Sequence, residues 1–142
     1  MKPRIFFFLL CAALLFSASP IRAEVAAGII LGEPTGISVR INHFPILGIA
    51  WSAPHDWMYL HGDYYFIDRA IEGGENVRWY LGAGAALLFG DNEAGIAGRV
   101  PVGLLFPFDP KFELFCEIVP GLELAPDTRM TVGGGIGIRY IF

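Results

Sequence analysis

The last twelve residues alternate in character with a period of two, and this pattern constrains the fold more than any other feature of the sequence. Even positions from Val132 to Phe142 are mostly large and apolar, whereas odd positions from Thr131 to Ile141 are mostly small, with Arg139 among them. Successive side chains of a β-strand point to opposite faces of a sheet. The segment therefore predicts a strand with one apolar face and one small or polar face, because a helix would show a period of about 3.6.

Turn signals divide the rest of the chain into further segments of the same kind. Clusters of Gly, Pro, Asn and Asp mark seven breaks, which imply eight strands. The predicted strands are Val25–Leu31, Ile37–Ile41, Ile46–Ser52, Trp57–Ile67, Val77–Phe89, Ile96–Phe106, Lys111–Leu124 and Thr131–Phe142. Most of them suit the roughly 9 to 11 residues that a tilted strand needs to cross a bilayer.

The amino terminus has the pattern of a secretory signal peptide. Lys2 and Arg4 precede an apolar run over residues 5–16, and a stretch of mostly small residues follows and ends at Ala23. The run is shorter than the roughly 20 residues of a membrane-spanning helix. We therefore expect a signal peptide over residues 1–23, with cleavage after Ala23, and one β-barrel domain over residues 24–142.

The composition of the expected mature chain excludes several classes of function. After cleavage, 7 basic and 14 acidic residues remain, which gives a net charge of −7 and leaves no basic cluster for nucleic acid. Cys116 is then the single cysteine, so neither an intramolecular disulfide nor a cysteine-rich metal site is expected. The sequence predicts no cofactor and no metal site.

Which face of each strand points inward distinguishes a membrane barrel from a soluble one. A soluble sheet buries its apolar face and turns a polar face to water. Here the second face carries glycine, alanine and one or two charges per strand, which is a poor surface for water. A membrane barrel turns its apolar residues to lipid and its small and polar residues inward. We therefore predict an all-β fold, an eight-stranded antiparallel up-and-down transmembrane β-barrel in contact with outer-membrane lipid.

The alternation also predicts a network of charged side chains inside this barrel. The members are Arg40, His61, Asp63, Arg78, Arg99, Glu113, Glu117, Glu123 and Arg139. Four arginines face four carboxylates, and such matching is needed because an unpaired buried charge is strongly unfavourable. Eight strands leave an interior that side chains can fill. The sequence therefore predicts a closed polar interior and no wide pore.

The aromatic residues follow the same topology. If both termini lie in the periplasm, one set falls at the periplasmic ends of strands: Phe44, Phe66, Trp79, Phe106, Phe108, Phe112, Tyr140 and Phe142. Trp51, Trp57 and Phe89 fall at the opposite ends. Transmembrane barrels concentrate aromatic side chains at both interfaces, so this distribution supports the predicted strand order. The longest predicted linker, Asp68 to Asn76, falls on the periplasmic side, where turns are usually short.

Two resemblances extend this interpretation. Ile136, Ile138, Tyr140 and Phe142 resemble the carboxy-terminal assembly signal of bacterial outer-membrane barrels, which implies recognition by the barrel-assembly machinery. Over residues 30–36, 60–64, 101–104, 117–120 and 133–140, the chain resembles an uncharacterised family of small bacterial outer-membrane β-barrels with OmpA/OmpX-like eight-stranded architecture. That resemblance implies a fold and a location in the cell outer membrane, and it implies no catalytic residue.

Several polar residues could be considered for a catalytic or metal site, but the sequence gives each of them little support. His61 and Asp63 share the predicted inner face, near which Ser38 or Ser52 falls, but no oxyanion site accompanies them. Glu113 and Glu117 would lie about 13 Å apart on a strand, beyond the usual separation of glycosidase carboxylates. His43 and His55 lie in turns without a second ligand nearby in sequence.

We therefore expect a structural or interaction role and no enzymatic activity. Two alternatives remain open at this stage. One is a soluble periplasmic barrel that carries a lipid or small ligand in an apolar lumen, which would need the opposite facing of every strand. The other is a lipid-modifying barrel enzyme that uses His61 and Asp63.

Overall fold

A computed structural model describes residues 23–42 and 45–142, and every described strand belongs to one sheet. The strands are β1 (Val25–Glu33), β2 (Thr35–Ile41), β3 (Ile46–Ser52), β4 (Trp57–Ala70), β5 (Arg78–Gly90), β6 (Glu93–Arg99), β7 (Val102–Asp109), β8 (Phe112–Ala125) and β9 (Arg129–Ile141). The predicted signal peptide lies outside the described residues but for Ala23, and so do His43 and Phe44. In the described ranges, no helix is long and apolar enough to cross a membrane.

The sheet closes on itself to form a barrel. Each strand from β1 to β5 pairs antiparallel with the next, β8 pairs with β9, and β9 pairs back with β1. Both β6 and β7 lie between β5 and β8, so they are two halves of one barrel strand. The predicted all-β, eight-stranded antiparallel barrel is confirmed.

The break between β6 and β7 differs from the continuous sixth strand that the sequence predicts. Pro101 is fully buried and has no N–H to donate to the ladder. The neighbouring strands still hold the chain, since Val100 N donates to Pro120 O at 2.9 Å and Gly82 N donates to Pro101 O at 2.9 Å. The proline thus interrupts the regular pairing without removing the strand from the wall.

Short turns and one longer linker connect the strands at two rims. The terminal rim carries both ends of the barrel chain, the adjoining ends of β2 and β3, and connections 71–77 and 110–111, whereas the distal rim carries Pro34 and turns 53–56, 91–92 and 126–128. Asn42, Asp56, Asn76 and Asn92 adopt φ angles of 53° to 63°, a region that Asn and Asp tolerate in turns. The long linker begins at residue 71 rather than 68, because β4 continues to Ala70 in register with Arg78.

The two faces of the wall have the composition of a membrane barrel. Ile29, Leu60, Ile118 and Ile136 are among many large apolar side chains exposed on the outer surface. The buried residues include Arg40, Asp63, Glu113 and Arg139, which point into the lumen. Apolar side chains therefore face outward and charges face inward, as predicted, whereas the soluble-carrier alternative needs the reverse.

Glycines make room for the large side chains of the lumen. Gly48, Gly84, Gly103 and Gly137 pair directly with His61, Asp63, Tyr80 and Phe115 on neighbouring strands. A Cβ atom at each of these glycines would overlap the side chain of its partner. The small residues of the inner face thus set where the bulky ones fit.

This steric role predicts a difference between two Gly→Ala substitutions. An alanine at Gly137 would place its Cβ against the Phe115 ring and 2.6 Å from the Ile29 carbonyl oxygen, whereas a Cβ at Gly98 meets nothing within 4 Å. We expect Gly137→Ala to lower the free energy of unfolding by about 1 to 3 kcal/mol through overpacking. Gly98→Ala should change it by less than about 1 kcal/mol. Urea unfolding followed by tryptophan fluorescence measures both, and equal effects would contradict the steric role.

Candidate functional site

The terminal half of the lumen holds a cluster of four polar residues, Ser38, Arg40, Glu113 and Arg139, called here the terminal cluster. Arg40 donates from Nε to Glu113 Oε1 at 3.1 Å and from Nη2 to Glu113 Oε2 at 2.8 Å. Arg139 Nη1 donates to the same Oε1 at 3.1 Å, and its Nε and Nη2 donate to Ser38 Oγ at 3.1 and 3.0 Å. One carboxylate therefore binds two guanidinium groups, and Arg40 binds it in the bidentate geometry that favours such pairs.

Further contacts fix the terminal cluster in place. The Arg139 guanidinium lies 3.7 Å from the centroid of the Phe115 ring, a cation–π arrangement. Arg40 Nη1 also donates to Glu24 Oε1 at 3.0 Å and to the Asn42 carbonyl oxygen. Because β2, β8 and β9 all contribute side chains, together with Glu24 just before β1, the cluster fills the lumen near the terminal rim.

Two stacked tyrosines form the next layer. The rings of Tyr65 and Tyr80 are nearly parallel, with centroids 4.3 Å apart, and both side chains are buried. Ile46 and Leu105 pack against them. This layer continues the filling of the lumen from the terminal cluster toward the middle of the barrel.

A second polar group, called here the central cluster, consists of His61, Asp63, Arg99 and Glu117. His61 Nδ1 lies 3.0 Å from Asp63 Oδ2, and Arg99 Nε lies 2.9 Å from Asp63 Oδ1. Arg99 Nη2 is 3.8 Å from Glu117 Oε1, while Tyr80 donates its hydroxyl proton to Glu117 Oε2 at 2.9 Å. Two carboxylates thus share one guanidinium, and the other close contact of Glu117 is a neutral phenol.

Beyond the central cluster, the distal half of the lumen contains a cavity of about 290 Å³. His61, Arg99 and Glu117 lie at its inner end. Its walls are formed mainly by smaller and apolar residues, including Ile30, Ala50, Tyr59, Ala86, Ala97 and Val119. The sequence predicts side-chain filling throughout the interior, and the structure differs in this half because alanines on three strands leave space.

The distal cavity opens at a notch in the wall. β1 ends at Glu33, which pairs with Gly134, so β9 continues from Gly133 back to Arg129 beyond its last β1 partner. Met130 and Val132 are 82% and 73% exposed on the outer surface, yet both also line the cavity. The cavity therefore reaches the outside between the β1–β2 turn and the distal part of β9.

Charged and polar pairs surround this opening. Arg129 Nη2 donates to Glu123 Oε2 at 2.7 Å. Ser52 Oγ lies 3.0 Å from His55 Nδ1, and the same nitrogen is 3.9 Å from Glu33 Oε1. Both contacts of His55 fall on one ring nitrogen, so the three residues do not form the relay of a hydrolytic triad, in which the two nitrogens have separate partners.

The structure brings together most of the side chains predicted to form an interior network. Arg40, Glu113 and Arg139 meet in the terminal cluster, while His61, Asp63, Arg99 and Glu117 form the central one. Glu123 is buried and pairs with Arg129 at the distal rim. Arg78 lies apart from the others, at the terminal rim beside Asp68 at 2.7 Å, with 36% of its side chain exposed.

Two residues that form ion pairs with members of the predicted network, Glu24 with Arg40 and Arg129 with Glu123, are absent from the prediction. Glu24 directly follows the expected cleavage site, and Arg129 precedes the predicted start of the last strand. Extending the alternation of the last strand by two residues would have placed Arg129 on the inner face beside Glu123, its partner across the β8–β9 ladder.

Neither serine considered for catalysis binds His61. Ser38 accepts hydrogen bonds from Arg139, and Ser52 contacts His55. Within the parts of the chain that the structure describes, no three His, Cys, Asp or Glu side chains are grouped so that they could hold a metal ion.

Two crystal structures of outer-membrane proteins share this architecture. The N-terminal β-barrel domain of Pseudomonas aeruginosa OprF aligns with a TM-score of 0.55 at 17% identity, over 84% of this chain and 97% of that chain. Neisserial surface protein A aligns with a TM-score of 0.51 at 16% identity, over 84% of this chain and 96% of that chain. The chain has the fold of small outer-membrane β-barrels. No family model matches it, and no curated protein sequence matches it either.

Within this fold, the residues of the predicted assembly signal occupy one face of β9. Ile136 and Phe142 are exposed on the outer surface, and Ile138 and Tyr140 lie between them on the same side. Tyr140 contacts both Phe112 and Phe142 edge to face, with centroids 5.1 and 5.0 Å apart. An aromatic cluster therefore marks the terminal rim, as interfacial girdles do in membrane barrels.

Proposed function

We propose that this protein is an integral outer-membrane β-barrel with a structural or interaction role, a lumen that conducts no solutes and no enzymatic activity. The observation that carries the proposal is the filled terminal half of the lumen. The terminal cluster and the stacked pair Tyr65–Tyr80 occupy it, and Glu113 and Arg139 are only 2% and 1% exposed. A solute would have to break several buried ion pairs to pass, which is strongly unfavourable.

The outer surface supports insertion in a lipid bilayer. Exposed apolar side chains cover the wall on every strand, and the closed sheet leaves few backbone groups without partners. Such a surface in water would far exceed the apolar patches that soluble proteins tolerate. We propose export through the signal peptide over residues 1–23, recognition of Ile136, Ile138, Tyr140 and Phe142 by the barrel-assembly machinery, and contact with outer-membrane lipid.

The proposal against catalysis rests on how the polar side chains are used. The ring of His61 lies over Gly48 and binds Asp63, and that carboxylate also binds Arg99. Both candidate serines have other partners. The lipid-modifying alternative therefore lacks an activated nucleophile next to His61.

Membrane insertion and the closed lumen predict two results with the purified, refolded protein. We expect the unboiled sample to migrate faster than the boiled sample on a gel, because the closed barrel resists detergent unfolding. Insertion of this folded sample into planar bilayers bathed in KCl should produce no unitary current steps. Fractionation of expressing cells completes the test. Recovery in the soluble periplasmic fraction would contradict insertion, and stable current steps would contradict the closed lumen.

A further inference from the structure

The proposed structural role does not explain the distal cavity. At about 290 Å³ it is close to the lower size limit of small-molecule sites. It combines largely apolar walls with polar groups at its inner end and at its opening, and such sites usually combine apolar walls with a few polar groups. A volume of this size holds about ten water-sized groups.

The inner end of the cavity brings two carboxylates, Asp63 and Glu117, together with one guanidinium, Arg99, and the imidazole of His61. Asp63 and Glu117 share the single guanidinium of Arg99, and Asp63 holds it at the shorter distance, 2.9 Å against 3.8 Å. The Glu117 side chain is 7% exposed and lines the cavity. Because the nearest cation to the buried Glu117 carboxylate is 3.8 Å away and is shared with Asp63, a ligand that brings a second positive charge to Glu117 would be stabilised there.

The apolar walls of the cavity favour a ligand whose remaining part is apolar. Ala50, Ala86 and Ala97 are buried and present methyl groups to the cavity, and Ile30 and Val119 complete the apolar surface. The opening is also mixed in character, because Met130 and Val132 are exposed on the outer surface while Glu33, His55 and Arg129 line the cavity beside them. A molecule with an apolar body and a cationic end matches the apolar walls and the carboxylate of Glu117 at the inner end.

We propose that the distal cavity binds a small amphiphilic cation, a molecule whose ammonium group pairs with Glu117 and whose apolar body contacts Ala50, Ala86 and Ala97. Entry is through the notch beside Pro34, where the cavity meets the outer surface. The site goes beyond the structural role, and a folded barrel without any ligand affinity would overturn it while leaving that role intact.

Three probes of equal length separate charge from hydrophobicity: n-hexylammonium, hexan-1-ol and hexanoate. Each is titrated into isotope-labelled barrel in lipid nanodiscs while the methyl signals of Ala86 and Ala97 are followed. We expect hexylammonium to shift these signals with a Kd about tenfold lower than that of either other probe. Preferential binding of hexanoate would assign the inner end to Arg99 and overturn the proposal, and so would equal binding of all three probes.

Matched variants test the two contacts separately. Glu117→Gln keeps an acceptor for Tyr80 and should reduce the preference for the cation to about twofold or less, whereas Glu93→Gln on the exposed distal rim should retain it. Ala86→Leu projects into the cavity and should weaken binding about tenfold, whereas Ala85→Leu on the outer face should not.

The gel shift confirms that each variant is folded before titration. If Ala86→Leu does not fold, Ala50→Leu fills the cavity from another strand and takes its place. Unchanged binding in the cavity-filling variant or in Glu117→Gln would overturn the site.

Discussion

Replacing Glu113 with alanine is expected to destabilise the barrel by about 3 to 5 kcal/mol, because it leaves two buried guanidinium groups without a carboxylate. Glu113 accepts three hydrogen bonds, two from Arg40 and one from Arg139. Arg139 would retain Ser38, and Arg40 would retain the half-exposed Glu24, but neither partner replaces the lost charge at the centre of the cluster. The loss should also make the gel shift disappear at a lower temperature.

The measurement is urea unfolding of the variant in lipid vesicles, with Glu93→Ala as the matched control. Glu93 is exposed at the start of β6, so its removal should change the free energy of unfolding by less than about 0.5 kcal/mol. Glu113→Gln retains an acceptor but loses the charge, and we expect it to fall between the two. A loss below about 1 kcal/mol for Glu113→Ala would mean that water already reaches the cluster, and that the terminal half of the lumen is not closed.

The sequence was enough to predict which side chains point into the lumen and which point outward. Along a strand this depends only on whether two positions are an even or an odd number of residues apart. In β9, for example, Ile136 and Arg139 are three positions apart, and three is odd, so a strand must turn them to opposite faces. Membership of the interior network follows for the same reason. Alternation alone did not predict the exposure of Arg78. The alternation of β5 places Arg78 on the inner face, but it lies at the end of the strand, where the terminal rim leaves it partly exposed.

The partners within the network depend on the closed barrel and were not readable from the chain. Arg40 on β2 reaches Glu113 on β8, although β1 and β9 lie between these two strands in the wall, because the lumen is narrow enough for a side chain to cross. Sequence separation carries no information about such a contact. Only the register of every intervening strand, together with barrel closure, places these two side chains at the same height.

The distal cavity was not predicted from the sequence, for a different reason. Alternation tells which residues point inward but not whether their volumes add up to a filled interior. Phe115 and Tyr80 fill the lumen on the terminal side, whereas Ala50, Ala86 and Ala97 leave it open on the distal side. Whether the inward side chains at one level of the barrel fill the lumen depends on their combined volume. Which side chains share a level depends on the register of the strands, which the sequence alone does not give.

An arginine placed on the outer face of β9 is expected to have an effect that depends on its depth. Ile136 lies near the middle of β9 and is 66% exposed, whereas Met130 lies on the same outer side near the distal end. For refolding into lipid vesicles, we expect Ile136→Arg to lower the free energy of unfolding by about 2 to 4 kcal/mol, and Met130→Arg to lower it by about 1 kcal/mol or less. Ile136→Leu controls for the loss of the isoleucine side chain itself. In water both positions would tolerate arginine equally well, so the difference between the two variants measures lipid contact directly. Equal and small effects would therefore show that the apolar outer face of this barrel is not in contact with a bilayer.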